Sequence, residues 1–323
     1  MKIAKVHTVS RGPLIALALC VATSAAFAND NSRIDTMITT DGSAEKALDR
    51  TFALAADGTI DVSNVRGSVT ITGGGQDGVK LSGSLGGGSK LAIEGGPRRL
   101  EMRVESQNGN GWLGGGPKSD TDLVLSVPHG VSVKLDVVSA NSKVENVDGK
   151  SIEIDNVSGN VHVNGAAHSI EVDSVSGDVV LQVARAGAAE RVHLQTVSGN
   201  IKATGADGRL KLETVSGTVT FSSPSVTELG AESVSGNIEG TVAPAKGARI
   251  RAETMSGTLR LHLPVNLAAR IHAETFSGSL KTDYGKVVKA EYGPGSSLDI
   301  DNSDSGTRID AQSFSGNVEL RKQ

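Results

Sequence analysis

Eight copies of a Ser-Gly signal carry the side chains of this chain that are best spaced for chemistry. The signal, most often Val-Ser-Gly-Asn, supplies eight glycines, here called the repeat glycines: Gly159, Gly177, Gly199, Gly217, Gly236, Gly257, Gly278 and Gly316. Four residues before each stands a carboxylate or an amide: Asp155, Asp173, Gln195, Glu213, Glu232, Glu253, Glu274 and Gln312. Ser, Thr or Asn follows each of these, and carboxylates beside hydroxyl oxygens suit Ca²⁺. If the copies stack, Glu213, Glu232, Glu253 and Glu274 form a column able to hold cations.

Cation binding is the less favoured of two interpretations of this column. Stacked like charges repel one another, so something must compensate them. Lys211, Arg251, Arg260 and Lys281 are near enough in sequence to neutralise a solvated edge. The sequence also lacks the run of alternating acidic residues that is typical of a dedicated Ca²⁺ loop. We therefore expect no metal and no other cofactor, with Ca²⁺ along the column as the alternative.

Other reactive side chains have simpler structural explanations. A catalytic serine need occur only once, whereas Ser158 and Ser176 recur in successive copies, so we expect turn residues that bond to local backbone. His193 and His272 both lie six residues before a repeat glycine, at a variable position that we expect at the surface. Trp112 lies in a Gly-rich loop, where it either folds back onto its own domain or contacts a partner. No catalytic residue is predicted.

The residues around each repeat glycine alternate with the period of a β-strand. Aliphatic side chains, many of them β-branched, recur near seven and five residues before the glycine and two residues after it. The glycines are 18, 22, 18, 19, 21, 21 and 38 residues apart. The last spacing is twice 19, which indicates that one copy between Gly278 and Gly316 has lost its signature. A degenerate copy ends at Ala140, and an isolated one is centred on Gly67.

The apolar residue two before each repeat glycine can point into the core or out of it. Strict alternation would place it outside, where a row of apolar side chains would form a binding face. Its size argues otherwise, because Met255, Phe276 and Phe314 occur in copies with Ala five before the glycine, as if two side chains shared one core. We therefore expect this position to be interior, beside a corner of the chain.

Two all-β architectures fit the repeat. The predicted one is a parallel β-solenoid (β-helix) with coils of 18–22 residues, and the alternative is a meander of β-hairpins. Glycine followed by Thr, as at Gly217 and Gly257, makes a poor hairpin turn and favours the solenoid. We expect a signal peptide over 1–28, a flexible leader over 29–50, a β-rich N-terminal cap over 51–130 and the solenoid over 131–323.

The first 28 residues predict export. Lys2, Lys5 and Arg11 precede an apolar run, and small residues then lead to a cleavage site between Ala28 and Asn29. The run is too short to span a bilayer, so no transmembrane segment is predicted in the mature chain. A formal net charge of −4 argues against a nucleic-acid partner. The single Cys and the 2% of aromatic residues disfavour thiol chemistry and clefts that stack sugars.

The sequence resembles the bacterial putative-adhesin β-strand-repeat family, a domain family of unknown function. The resemblance covers roughly residues 50–323. It is carried by the segment TDLVLSVPHGVSVKLDVVSA from Thr121, by the repeated VSGN units and by RIDAQSFSGNVELRK from Arg308. It implies an exported, β-solenoid-like protein and supplies no catalytic residues.

These observations predict an exported, non-enzymatic adhesin-like or scaffold protein of the cell envelope, periplasmic, cell-surface or secreted. Its partner would be an envelope protein or a surface glycan, bound along a side of the solenoid. A periplasmic regulatory or sensory partner of an envelope protein is the first alternative. A polysaccharide-active β-helix enzyme is the second, and it would need a singular cluster of carboxylates that the repeat does not supply.

Overall fold

Stacked parallel strands make up most of the structure. The computed structural model describes residues 33–40, 44–75, 77–107, 119–185, 188–302 and 306–323. Within these ranges the regular secondary structure consists of strands. In chain order they are β1 (Ile34–Thr39), β2 (Lys46–Phe52), β3 (Thr59–Gly74), β4 (Val79–Leu85), β5 (Ser89–Gly96), β6 (Arg99–Ser106), β7 (Thr121–Pro128), β8 (Ser132–Glu145), β9 (Ser151–Ser158), β10 (Val161–Gly165), β11 (Ser169–Ser176), β12 (Val179–Val183), β13 (Arg191–Ser198), β14 (Ile201–Thr204), β15 (Gly208–Ser216), β16 (Val219–Ser235), β17 (Ile238–Ser256), β18 (Leu259–Leu263), β19 (Arg270–Ser277), β20 (Leu280–Thr282), β21 (Val288–Lys289), β22 (Ser296–Asp301), β23 (Arg308–Ser315) and β24 (Val318–Lys322).

Each central coil joins a strand before its repeat glycine to a strand after it. β9, β11, β13 and β15 pair in parallel and in register, so that Ile152, Ile170, Val192 and Leu210 form one column. β10, β12 and β14 form a second parallel ladder beyond the glycines. Equivalent residues of successive copies therefore stack on one another. The predicted parallel β-solenoid is confirmed, and the hairpin meander is wrong for the repeat.

The core contains columns of aliphatic side chains and one notable ring. Phe221 is buried, and its register partner in the next coil is Gly240. A Cβ on Gly240 would overlap the Phe221 ring, so glycine provides the space that the ring occupies. The expectation that Phe276 and Phe314 supply the interior rings is wrong, because both are exposed.

The N-terminal end differs from the expected leader and cap. β1 pairs antiparallel with β5, and β2 with β4, so the described part of 29–50 includes two strands rather than only a flexible leader. Ile38 and Leu48 are the apolar residues that these strands bury. β3 is itself a coil of the stack, since it pairs in parallel along β8 and places Gly67 beside Ala140. β6 and β7 pair with the other edge of β3. The cap thus consists of β1, β2 and β4–β7 only.

The C-terminal coil does not occupy the position that chain order would give it. β23 lies between β17 and β19, and β24 lies between β18 and β20. The coil of β19 and β20 is therefore outermost. No lost repeat lies between Gly278 and Gly316 in the described residues of that segment, because β22 runs antiparallel along the outer edge of β19 and pairs with β21.

Candidate binding surface

The repeat glycines are required by the close approach of neighbouring coils. A Cβ on Gly177 would overlap the carbonyl oxygen of Gly159, and one on Gly199 would overlap that of Gly177. The same relation holds at the other end, where Gly316 faces the carbonyl of Gly257 and Gly278 faces that of Gly316. Gly177 also has a φ of 133°, which glycine adopts at little cost. The Ser-Gly signal is therefore a structural corner.

The residue after each glycine holds the corners together. Asn160 Oδ1 accepts a hydrogen bond from the Asp178 backbone N–H at 3.1 Å, and Asp178 Oδ1 accepts one from the Asn200 N–H at 2.9 Å. Asn200 Oδ1 accepts in turn from the Thr218 N–H at 2.9 Å. These side chains satisfy backbone donors that the corner would otherwise leave unpaired. The Asn in the repeated signal thus has a structural role that the sequence analysis missed.

The residue two before each corner points outward, contrary to expectation. Met255, Phe314 and Phe276 are 58%, 57% and 61% exposed, and Val234 is 48% exposed. Alternation continues up to the corner, because the residue three before the glycine is the one that is buried. The co-variation with Ala five before the glycine has no packing explanation, since the two side chains lie on opposite sides of the sheet. In order along the stack, this apolar column is Val138, Val157, Val175, Val197, Val215, Val234, Met255, Phe314 and Phe276.

The last three coils of the stack bring the largest side chains of the apolar column together. The rings of Phe276 and Phe314 are stacked, with centroids 5.0 Å apart and planes at 5°. Met255 precedes Phe314 in the column, because β17 pairs with β23. One end of the column therefore forms an exposed apolar ledge of two rings and a thioether.

The carboxylate column runs beside the apolar column, two residues away along each strand. In order along the stack it is Asp136, Asp155, Asp173, Gln195, Glu213, Glu232, Glu253, Gln312 and Glu274. Gln312 separates Glu253 from Glu274, so the four glutamates singled out in the sequence are not consecutive. Only Glu213, Glu232 and Glu253 are direct neighbours among them.

Cations on the same strands compensate part of the carboxylate column. Lys211 Nζ lies 2.8 Å from Glu213, and Arg251 Nε lies 2.6 Å from Glu253. Glu232 has Gly230 at the equivalent position and forms no ion pair with the described residues. Within those residues no cluster of three or more His, Cys, Asp or Glu side chains could hold a metal ion. Two of the four glutamates thus already have a protein cation.

His193 and Glu213, on adjacent coils of this face, are joined by a side-chain hydrogen bond. His193 Nε2 lies 3.0 Å from Glu213 Oε2, and His193 Nδ1 lies 3.7 Å from Glu171. The hydrogen bond to Glu213 is the main cause that raises the pKa of His193. The reciprocal bond lowers the pKa of Glu213 to about 2, with Lys211 contributing in the same direction. His193 is therefore a partner for the column and not a surface residue without contacts.

A second acidic cluster lies nearer the N-terminal end of the same column. Burial, with a smaller contribution from the neighbouring Asp155, raises the pKa of Asp136 to about 6 despite the opposing effect of Lys134. Lys134 Nζ lies 2.7 Å from Glu153 and 3.9 Å from Asp155. Burial also raises the pKa of Asp173. Neither Asp136 nor Asp155 lines the main groove described next.

A groove of about 510 Å³ follows the two columns over six coils. One side consists of Val215, Val234, Met255, Phe314 and Phe276, and the other of Gln195, Glu213, Glu232, Glu253, Gln312 and Glu274. Its floor consists of buried hydroxyl residues, of which Thr254 donates to the Gly236 carbonyl at 3.2 Å. The chemical character of the groove is therefore apolar on one side and acidic on the other.

Three residues predicted from the sequence fall outside the described ranges. They are Ala28 and Asn29, which flank the predicted cleavage site, and Trp112, the suggested partner contact. Across the ranges that the structure does describe, no helix is long and apolar enough to cross a membrane.

Comparison with known proteins places the repeat in a family. The profile of the family described as Toastrack DUF4097 matches residues 58–321. A solved structure titled "putative cell adhesion protein" from Clostridium sporogenes ATCC 15579 is 11% identical, with a TM-score of 0.25, and the match covers 87% of this chain and 100% of that one. A "putative adhesin" from Bacteroides fragilis NCTC 9343 is 14% identical, with a TM-score of 0.34, and covers 88% and 100%. No curated protein matches the sequence.

Proposed function

The chain belongs to the Toastrack DUF4097 family, and from that premise we propose that it is an exported, non-enzymatic, adhesin-like scaffold that binds a partner protein along the apolar column. One observation carries the proposal: nine consecutive coils place an apolar side chain at the same outward position. Single exposed apolar residues are ordinary, whereas a contiguous row marks an interaction site. Strand propensity alone does not explain this row, because Thr would suit an exposed β-strand position as well as Val does.

The absence of enzymatic activity is part of the proposal. The groove has a carboxylate at the same position in four of its six coils, and Lys211 and Arg251 neutralise two of them. Catalytic carboxylates are instead a singular pair in different environments. Asp136 and Asp155 are the nearest approach to such a pair, and they lie away from the groove. A polysaccharide-active enzyme is therefore the less supported alternative.

We also propose that no resident cation occupies the carboxylate column. Lys211 and Arg251 already compensate Glu213 and Glu253, and among the described residues no three carboxylate, imidazole or thiol side chains converge to hold a metal ion. Adding EDTA should leave the melting temperature unchanged within error, and adding Ca²⁺ should do the same. A fall in melting temperature with EDTA that Ca²⁺ reverses would favour a Ca²⁺ site at Glu213, Glu232 and Glu253 instead.

Export is proposed from residues 1–28, which have the charge, apolar length and small residues of a signal peptide. The mature protein should begin at Asn29, and N-terminal sequencing of protein recovered from fractionated cells tests this. Recovery of the intact N-terminus from the cytoplasm would refute export. Surface labelling of intact cells then separates a cell-surface location from a periplasmic one.

The partner is proposed to be a protein of the envelope. A photoreactive residue at Val234 in intact cells should form a discrete protein adduct, whereas one at Thr220, an exposed position beyond the corner, should not. The adduct should disappear when Val215→Thr and Met255→Gln are added, because these changes remove apolar surface and leave the core intact. Equal adducts at both positions, or an adduct with glycan alone, would refute the proposal.

A further inference from the structure

The groove has two features that together restrict what can occupy it. Its apolar side offers one side chain per coil, and adjacent parallel strands lie about 4.8 Å apart. Its acidic side contains Glu232, which has no ion pair with the described residues, and Glu274, whose nearest basic group is His272 at 3.6 Å. An occupant must therefore satisfy both a spacing and a charge.

Charge excludes several occupants. A second copy of this chain would bring either its own carboxylate column or the residues that follow its repeat glycines, none of them basic, against this column, and neither supplies a cation to Glu232 or Glu274. Nucleic acids and anionic lipid headgroups are repelled by the carboxylates. A partner with cationic side chains flanking an apolar stripe complements both sides of the groove. Glu232 has no ion pair with the described residues, and Glu274 has only the imidazole of His272. The charge pattern thus selects a basic amphipathic partner.

Spacing distinguishes the conformation of that partner. An α-helix lying along the stack returns the same face every 5.4 Å, about 0.6 Å more than one coil. Over three turns the drift is about 1.8 Å, less than half a coil. An extended strand returns the same face every 6.6–6.8 Å, so its first repeat misses the next coil by about 1.8–2.0 Å, roughly three times the 0.6 Å of the helix. The apolar column therefore fits a helix better than a strand.

The length of the groove sets the size of the helix. Six coils span about 24 Å between the first and the last, which corresponds to roughly 16 residues of helix. At one end lies the exposed ledge of Met255, Phe314 and Phe276. Large apolar and aromatic side chains in such clusters are the usual anchors of a protein interface.

We propose that the groove binds a cationic amphipathic α-helix of about three to four turns, with its apolar stripe on Val215–Phe276 of the apolar column and its Lys or Arg side chains toward Glu232 and Glu274. This rests on the proposed function, since it specifies the partner of the same surface. Helix binding in a groove is recognised by apolar anchors at positions i, i+3, i+4 and i+7.

The test uses designed peptides and the full mature protein. A 14-residue Leu and Lys peptide with Leu at helical spacing should bind and gain helical circular dichroism signal on binding. A peptide of the same composition with strictly alternating Leu and Lys should bind at least about tenfold more weakly, and so should a helical Leu and Glu peptide. Equal binding by the alternating peptide would refute the helical conformation of the partner, and equal binding by the acidic peptide would refute its proposed positive charge.

Variants locate the binding site. Glu232→Gln with Glu274→Gln should weaken the Leu and Lys helix about five- to tenfold and reduce its salt dependence. Glu228→Gln, an exposed glutamate four residues along the same strand, is the matched control and should change affinity less than twofold. Equal losses from both would overturn the site. If no peptide binds while the adduct at Val234 still forms in cells, the helix proposal fails and the proposed function stands.

Discussion

Replacing Gly177 with Ala tests whether neighbouring coils approach as closely as the structure places them. A Cβ at this position would overlap the carbonyl oxygen of Gly159 and would lie 2.7 Å from its carbonyl carbon. To reach an acceptable separation, the two coils must open locally by about 1 Å. Two backbone hydrogen bonds cross this junction, from the Gly159 N–H to the Ser176 oxygen at 3.2 Å and from the Val161 N–H to the Asp178 oxygen at 2.9 Å. Both would exceed the length at which a hydrogen bond persists.

The expected cost follows from these losses. Two backbone hydrogen bonds contribute about 1–3 kcal/mol together. A side chain at a φ of 133° adds about 1–2 kcal/mol of backbone strain. Gly177→Ala should therefore lower the free energy of unfolding by about 2–5 kcal/mol, and the melting temperature by about 4–10 °C at roughly 2 °C per kcal/mol for a chain of this size.

Gly230→Ala is the matched control, because Gly230 lies within strand β16 and the nearest atom to its added Cβ is Lys211 Cγ at 3.9 Å. That change should leave the melting temperature within about 2 °C of the parent or raise it slightly, since Ala reduces the freedom of the unfolded chain. Thermal unfolding followed by circular dichroism measures both variants. Equal melting temperatures for Gly177→Ala and Gly230→Ala would refute the close approach of the coils.

Two further predictions address the coil order and the charge pairs. A disulfide between Glu253→Cys and Gln312→Cys should form readily, because adjacent strands hold these Cα atoms about 4.8 Å apart. The pair Glu253→Cys and Glu274→Cys spans two coils, about 9.6 Å, and should not form a disulfide. Non-reducing gels measure both, and the reverse result would refute the inserted coil. The pKa of His193 is raised in the folded protein, so its contribution to stability is complete below its unfolded pKa of 6.5 and is lost as pH rises through the folded pKa. The pKa of Glu213 is lowered, so its contribution is complete above its unfolded pKa of 4.5 and is lost as pH falls through about 2. His193→Gln should therefore lower the melting temperature more at about pH 5.5 than at about pH 8.5, and an equal or larger loss at the higher pH would contradict the pairing.

The coils could be predicted from the sequence because the repeat contains its own register. Aliphatic residues such as Ile170 and Val172 alternate with polar ones, and the glycine marks the corner in each copy. A shift of one residue would reverse which side chains face the core, so only one alignment of the copies is stable. This is why the parallel ladders follow the spacing of the repeat glycines.

The outward position of the apolar column follows from alternation in the sequence, whereas the sizes of its side chains point to the interior. Alternation alone places Met255 and Phe314 outside, and the structure follows alternation up to the corner. Side-chain size does not indicate burial here, because the ring that a small residue accommodates is Phe221, over Gly240 of the next coil. A compensating pair in a solenoid lies across coils, at the same position of neighbouring copies.

The position of the last coil could not be predicted from the pattern. Ala252, Ala273 and Ala311 occupy the same buried position in their coils, so each of these coils can stack on either of the others. Local periodicity contains no information that distinguishes the order β17–β19–β23 from β17–β23–β19. Only the long-range pairing of the whole chain decides it, as with the partner choice of any sheet built from near-identical strands.

That inserted coil also links folding to the surface proposed for binding. β23 contributes Phe314 and Gln312, so the aromatic stack and the gap in the carboxylate column exist only after the end of the chain has entered the stack. Without it, Phe276 would lack its stacking partner. The apolar ledge of the groove is therefore completed by a segment near the C-terminus of the chain. A partner that binds the ledge must stabilise the inserted state, because ligands that bind one conformation preferentially shift the equilibrium toward it.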